Sequence, residues 1–159
     1  MTVRGRAWAR ALLVVGGVVA LDQVTKALVR GGIARGEEDP VLPAVKLVHV
    51  RNEGVAFGAF SGGGIIVVVL VAAALAALLA YFATHADRPL IWLPTGLLLG
   101  GALGNIIDRV RDGAVTDFIK LPHWPAFNVA DIAITVGVLA LLYVLERSDR
   151  DDAPAGRAA

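Results

Sequence analysis

Ile65–Phe82 is a run of 18 apolar residues without a break. That length at 1.5 Å per residue crosses about 27 Å, close to the hydrocarbon core of a bilayer. Three further apolar blocks accompany it: about Trp8–Val29, Leu90–Ile107 and Ala126–Leu145. A 159-residue chain that is 57% hydrophobic and 18% charged lacks the polar surface an ordinary soluble enzyme needs. The net charge of +1 offers no field for nucleic acid, and with no cysteine there is no disulfide or thiolate chemistry.

The pattern predicts a membrane bundle with spans at about 8–29, 65–82, 90–107 and 126–145. Arg4, Arg6 and Arg10 ahead of Ala11–Ala20 also fit the basic and apolar regions of a cleaved signal peptide. Three more apolar blocks follow, so the chain is membrane-bound on either reading. Trp8, Trp92 and Trp124 lie near block starts, where an interfacial aromatic belt places them. Four spans put both termini on one side, and the N-terminal arginine cluster favours the inside. Val45–Arg51 alternates as a short strand does, Ser61–Gly64 reads as a hinge, and residues from Glu146 read as a charged, disordered tail.

Because spans alternate in direction, one face collects Asp22, Lys26, Arg51, Asn52, Glu53, Asn105, Asp108, Arg109, Asp117, Asn128 and Asp131. Of the 29 charged residues, 17 fall on that side. The scarce charge is therefore concentrated, as a polar site requires. Asp22 and Lys26 are four apart and pair on one helical face, which explains both without catalysis. Asn105, Asp108 and Arg109 share a face of the third span. Gly96, Gly100 and Gly104 repeat every four residues, spacing that lets a neighbouring helix approach closely.

Asn128 and Asp131 are three apart at the start of the fourth span, and Asp117 precedes them in VTDF. The connection between the two aspartates holds Pro122 and Pro125 and can fold back to bring them together. Two carboxylates in a semi-dry site cannot both ionise freely. One activates water while the other supplies a proton, which hydrolyses an amide without metal, thiol or serine. Ion transport and structural pairing use the same residues and stay open at this point, as does a non-catalytic assembly role. His49, His85 and His123 are scattered, Ser61 and Ser148 lack a nucleophile context, and no phosphate loop occurs.

DQVTK at 22–26, RNEGVAFG at 51–58, GNIIDR at 104–109, VTDF at 115–118 and FNVADIAI at 127–134 occur in that order. In these five motifs the chain resembles the bacterial lipoprotein signal peptidases (signal peptidase II), a four-span family of membrane aspartic proteases. The resemblance covers Asp22 to Ile134. It implies an all-α membrane fold, a four-transmembrane-helix bundle with a small extracytoplasmic β element and lid in the first loop. Residues 1–145 would form one catalytic unit and 146–159 a cytoplasmic tail. It further implies that Asp117 and Asp131 are catalytic and that Asp22, Lys26, Asn52, Gly54, Asn105, Arg109, Asn128 and Ala130 support the site. No cofactor or metal is expected. The implied substrate is a prolipoprotein carrying diacylglyceryl-cysteine, cut just before that cysteine, and the implied inhibitor is globomycin. The implied location is the bacterial cytoplasmic membrane, multi-pass among membrane lipids, with both termini cytoplasmic and the site at the extracytoplasmic face.

Overall fold

The computed structural model describes residues 1–53 and 64–151, without the side chains of 64–68 and 148–151. Among the described residues there are four helices and a three-stranded sheet. In chain order these are α1 (Val3–Gly32), β1 (Glu38–Leu42), β2 (Val45–Asn52), α2 (Gly64–His85), α3 (Trp92–Asp112), β3 (Val115–Lys120) and α4 (Val129–Asp151). Gly54 and the lid expected after it, residues 61–63 of the hinge, and the tail beyond Asp151 lie outside the described residues.

Local chemistry sets the helix ends. Thr2 caps α1 through its hydroxyl, which accepts the Gly5 N–H at 3.1 Å. Gly113 ends α3 at φ +72°, a left-handed conformation that costs a side-chain-bearing residue more, and its N–H returns to the Arg109 carbonyl. α4 begins at Val129, three residues past the hydropathy boundary, because Pro125 precedes it and Asn128 caps it. It continues to Asp151, past the expected end of the span.

α1 and α4 contain the two described helices long and apolar enough to cross a membrane; Val69–His85 of α2 is a shorter apolar stretch. Glycines, Pro94, Thr95 and Asn105 lower the hydropathy of α3. Burial runs opposite to that of a soluble core. Leu13 is 75% exposed and Leu139 63%, whereas Asp22, Lys26 and Asn128 are fully buried. Apolar side chains face outward, where lipid is the solvent, and polar ones face each other.

The glycine seam of α3 serves the packing expected of it. A Cβ on Gly96 would lie 2.7 Å from Val14 Cβ, one on Gly100 2.8 Å from Val18 Cβ, and one on Gly104 2.6 Å from Asp22 Oδ2. Every fourth residue of α1 thus lies against every fourth residue of α3. Gly101 turns the other way, where a Cβ would meet the Ala130 carbonyl oxygen at 2.5 Å. At the far end, Trp8 packs edge-on to Phe82 with ring centroids 4.7 Å apart, and the Arg4 guanidinium donates to the Ala83 carbonyl.

The sheet differs from the expectation of a β element within the first loop. Its order is β1-β2-β3, all antiparallel, and the third strand comes from the second long connection. VTDF is itself strand, with Val50 opposite Asp117 and Asn52 opposite Val115. The pairing is non-local, so the six residues of β3 carry little signal of their own.

Candidate active site

The site lies where the C-terminal halves of α1 and α3, the start of α4 and the sheet meet. Its organiser is Asn128. The Asn128 side chain accepts the Asp131 N–H at 3.0 Å, and Asp131 Oδ2 accepts the Asn128 N–H at 3.2 Å. This reciprocal cap opens α4 and fixes the Asp131 carboxylate at its first turn. Asn128 Nδ2 also donates to Asp117 Oδ1 at 2.7 Å. One residue thereby bridges the two aspartates from opposite ends of the 118–130 segment.

That segment folds back as its prolines suggested. The Phe118 and Ile119 N–H groups both donate to the Phe127 carbonyl, at 3.0 and 2.8 Å, and the Phe127 N–H returns to Ile119. Asp117 is 3% exposed. Its second oxygen accepts Asn52 Nδ2 at 2.9 Å, so β2 contributes to the site from the neighbouring strand. Burial above all pushes the Asp117 carboxyl above the usual carboxylate range; the Asn52 and Asn128 amides oppose this and the Asp131 charge adds to it.

Asn105 completes the support of Asp131, donating from Nδ2 to Asp131 Oδ1 at 2.9 Å. Its Oδ1 accepts from Lys26 Nζ at 3.0 Å and from Asn128 Nδ2 at 3.2 Å, which fixes the amide's orientation. Lys26 is fully buried and also contacts Asp22 Oδ2 at 2.8 Å and Asp108 Oδ2 at 3.0 Å. Its three donors thus have three acceptors. The expected Asp22–Lys26 pair is present, but as part of a larger cluster. Asp22 Oδ1 accepts the Ala130 N–H at 3.0 Å, tying α1 to the first turn of α4. Ala130 is fully buried, and its small side chain suits the closeness of Gly101 and Gly104.

Among the residues expected to support the site, Asp22, Lys26, Asn52, Asn105, Asn128 and Ala130 converge. Arg109 does not join them: it is exposed, and among the described residues its guanidinium donates to the Asn105 carbonyl alone, at 3.3 Å. Gly54 lies outside the described residues. Three contributors were not among the residues expected to support the site. Asp108 is buried on Lys26 and accepts the Thr116 N–H at 3.0 Å. Gln23 Nε2 reaches Asp108 Oδ1 at 3.0 Å and the Gly104 carbonyl at 3.1 Å. Thr116 carries the strand end of that link. Gln23 and Asp108 were visible as polar residues in or beside apolar blocks; Thr116 carried no such signal.

Asp131 also forms part of the wall of an open groove of about 290 Å³, otherwise lined by Leu121, Trp124, Phe127, Ile132, Thr135 and Val136. The carboxylate therefore borders an apolar channel rather than water alone. Among the described residues, no three His, Asp or Glu side chains converge to hold a metal ion.

Comparison with known proteins gives one consistent result. The family model described as signal peptidase (SPase) II matches residues 14–146. The lipoprotein signal peptidase of Moorella thermoacetica is 43% identical over 130 residues, covering 80% of this chain and 87% of that protein. That of Syntrophotalea carbinolica is 44% identical over 140 residues, covering 82% and 87%. A solved bacterial membrane enzyme superposes with a TM-score of 0.81 at 31% identity, covering 93% of this chain and 94% of that one.

Proposed function

The chain belongs to the signal peptidase II family of membrane peptidases, and from that footing we propose that Asp117 and Asp131 are its catalytic pair. The observation that carries this reading is the Asn128 bridge, 2.7 Å to Asp117 Oδ1 and 3.2 Å to Asp131 Oδ2. It brings the two carboxylates under one residue, with one of them pushed toward its protonated form. The reaction is hydrolysis of the peptide bond before the diacylglyceryl-cysteine of a prolipoprotein, releasing the signal peptide.

The ionised carboxylate takes a proton from water as the water oxygen attacks the scissile carbonyl carbon. The protonated carboxyl donates to the carbonyl oxygen; the C–N bond then breaks as the departing nitrogen takes the proton that the first carboxylate removed from water, and a hydroxyl of the tetrahedral intermediate returns its proton to the second carboxylate. The shared proton belongs to the pair. The apolar groove beside Asp131 suits a substrate whose acyl chains remain in the bilayer. Lipid binding then holds the bond against the carboxylates.

The same reading has four helices crossing the cytoplasmic membrane, both termini inside and the carboxylates at the extracytoplasmic edge, where globomycin competes for the site. A carrier would need a polar path to the other face. Beyond Asp22 the α1–α3 seam instead consists of Val18 on Gly100 and Val14 on Gly96.

Incubating the purified protein with a diacylglyceryl prolipoprotein, with and without globomycin, and reading the mass shift on a gel tests this. Asp117→Asn and Asp131→Asn each abolish the shift while the protein still inserts. Normal turnover by either variant refutes the assignment.

A further inference from the structure

The C-terminal ends of α1 and α3 meet the sheet at a second cavity, of about 140 Å³, lined by neither Asp117 nor Asp131. Arg30, Arg35, Arg51 and His49 line it, against the single carboxylate of Asp112. Basic residues beside helix C-termini ordinarily answer the exposed carbonyls there. That accounts for Arg51, while Arg30 is held by a hydroxyl and two carboxylates. Arg51 Nη2 donates to the Asp112 carbonyl at 2.7 Å, and its Nε lies 3.3 Å from Glu53. Arg30 Nη1 donates to Thr116 Oγ1 at 3.2 Å and lies 3.8 and 3.9 Å from Asp108 and Asp112. The Arg35 guanidinium has no hydrogen bond or ion pair among the described residues. His49 Nδ1 donates to the Ile33 carbonyl at 2.9 Å, which leaves Nε2 as its second polar atom.

We propose that this pocket binds the phosphodiester of a membrane phospholipid headgroup. Guanidinium forks match phosphate oxygens in geometry as well as charge; Asp108, Asp112 and Glu53 answer Arg30 and Arg51, and Arg35 is the guanidinium of the lining left over among the described residues. The level of the pocket selects a lipid over a soluble anion. Leu28, two residues before Arg30, is 69% exposed, and Val110, two residues before Asp112, is 80% exposed. The outward apolar surface therefore ends at the height of the arginines, where headgroup phosphates lie. The diacylglyceryl-cysteine substrate carries no phosphate, so this is a lipid site distinct from the substrate's.

The test uses the purified full-length protein in detergent and native mass spectrometry, so it does not depend on peptidase activity. The probes are dioctanoyl phosphatidylglycerol, dioctanoylglycerol and inorganic phosphate. The parent retains the phospholipid, retains dioctanoylglycerol far less, and keeps the phospholipid in excess inorganic phosphate. Arg35→Gln weakens retention about tenfold, the scale of a lost hydrogen bond to a charged group, and Arg35→Glu abolishes it. Both variants still process prolipoprotein. Equal retention by the Arg35 variants overturns the site. Equal retention of dioctanoylglycerol, or displacement by inorganic phosphate, overturns the headgroup assignment.

Discussion

Replacing Lys26 by methionine removes one charge from the most buried ionic cluster among the described residues while keeping much of the side chain's bulk. The Lys26 ammonium lies 2.8 Å from Asp22, 3.0 Å from Asp108 and 3.0 Å from Asn105 Oδ1. Without it, two carboxylates that are 0% and 1% exposed lose their shared cation. Breaking a buried pair from one side costs about 3–5 kcal/mol, and the double contact puts the expected loss at the upper end. Against a total stability of about 5–15 kcal/mol, that shifts the unfolding equilibrium by about two to four orders of magnitude. Reversible unfolding in mixed micelles, followed by far-ultraviolet circular dichroism, measures it. The combination Asp22→Asn, Lys26→Met, Asp108→Asn regains a large part of the loss, because no buried charge is then left unpaired. A Lys26→Met protein within about 1 kcal/mol of the parent, the worth of an exposed pair, refutes the reasoning.

Three further outcomes follow from the geometry. Gly101→Ala sets a Cβ 2.5 Å from the Ala130 carbonyl oxygen, which belongs to backbone and cannot rotate away. A loss of about 1–3 kcal/mol and impaired processing are expected, whereas Gly17→Ala, with no atom within 4 Å, is neutral or stabilising by about 0.5–1 kcal/mol; equal thermal unfolding of the two contradicts the seam. The Asp117 carboxyl binds its proton more tightly folded than unfolded. Its contribution to stability is therefore complete below the ordinary carboxylate pKa of about 3.9 and is lost as pH rises through the raised folded value; denaturation at stepped pH should show that decline, and Asp117→Asn should flatten it. Asn52→Ala deletes a 2.9 Å hydrogen bond that favours the charged form of Asp117, so the alkaline limb of kcat/KM against pH moves upward; an unmoved limb separates Asn52 from the titrating pair.

The glycines at 96, 100 and 104 and the aspartates at 22 and 131 illustrate how far a one-dimensional pattern reaches. Helical periodicity relates residues three and four apart. It therefore exposed the α3 seam, the Asp22–Lys26 pair and the Asn128–Asp131 face before any coordinates. The same logic did not reveal that Asp108 belongs with Lys26, more than eighty positions away, or that Arg109 turns aside from the site. The two are adjacent, and the rotation of about 100° between them separates their fates only once the neighbouring helix is in place.

By itself the amino-acid order determined the solvent and the polarity of this protein. Long apolar runs demand lipid outside, alternating direction gathers the motif residues at one end, and the Asn-x-x-Asp spacing sets up the start of α4. Tertiary structure alone decided the partners. Asp117 belongs to the site because β3 pairs with β2, which puts Val50 opposite it and Asn52 within reach. Asn105 presents its N–H to Asp131 because Lys26 and Asn128 both hold its oxygen. Strand pairing and amide orientation depend on groups far apart in the chain, and no local period records them.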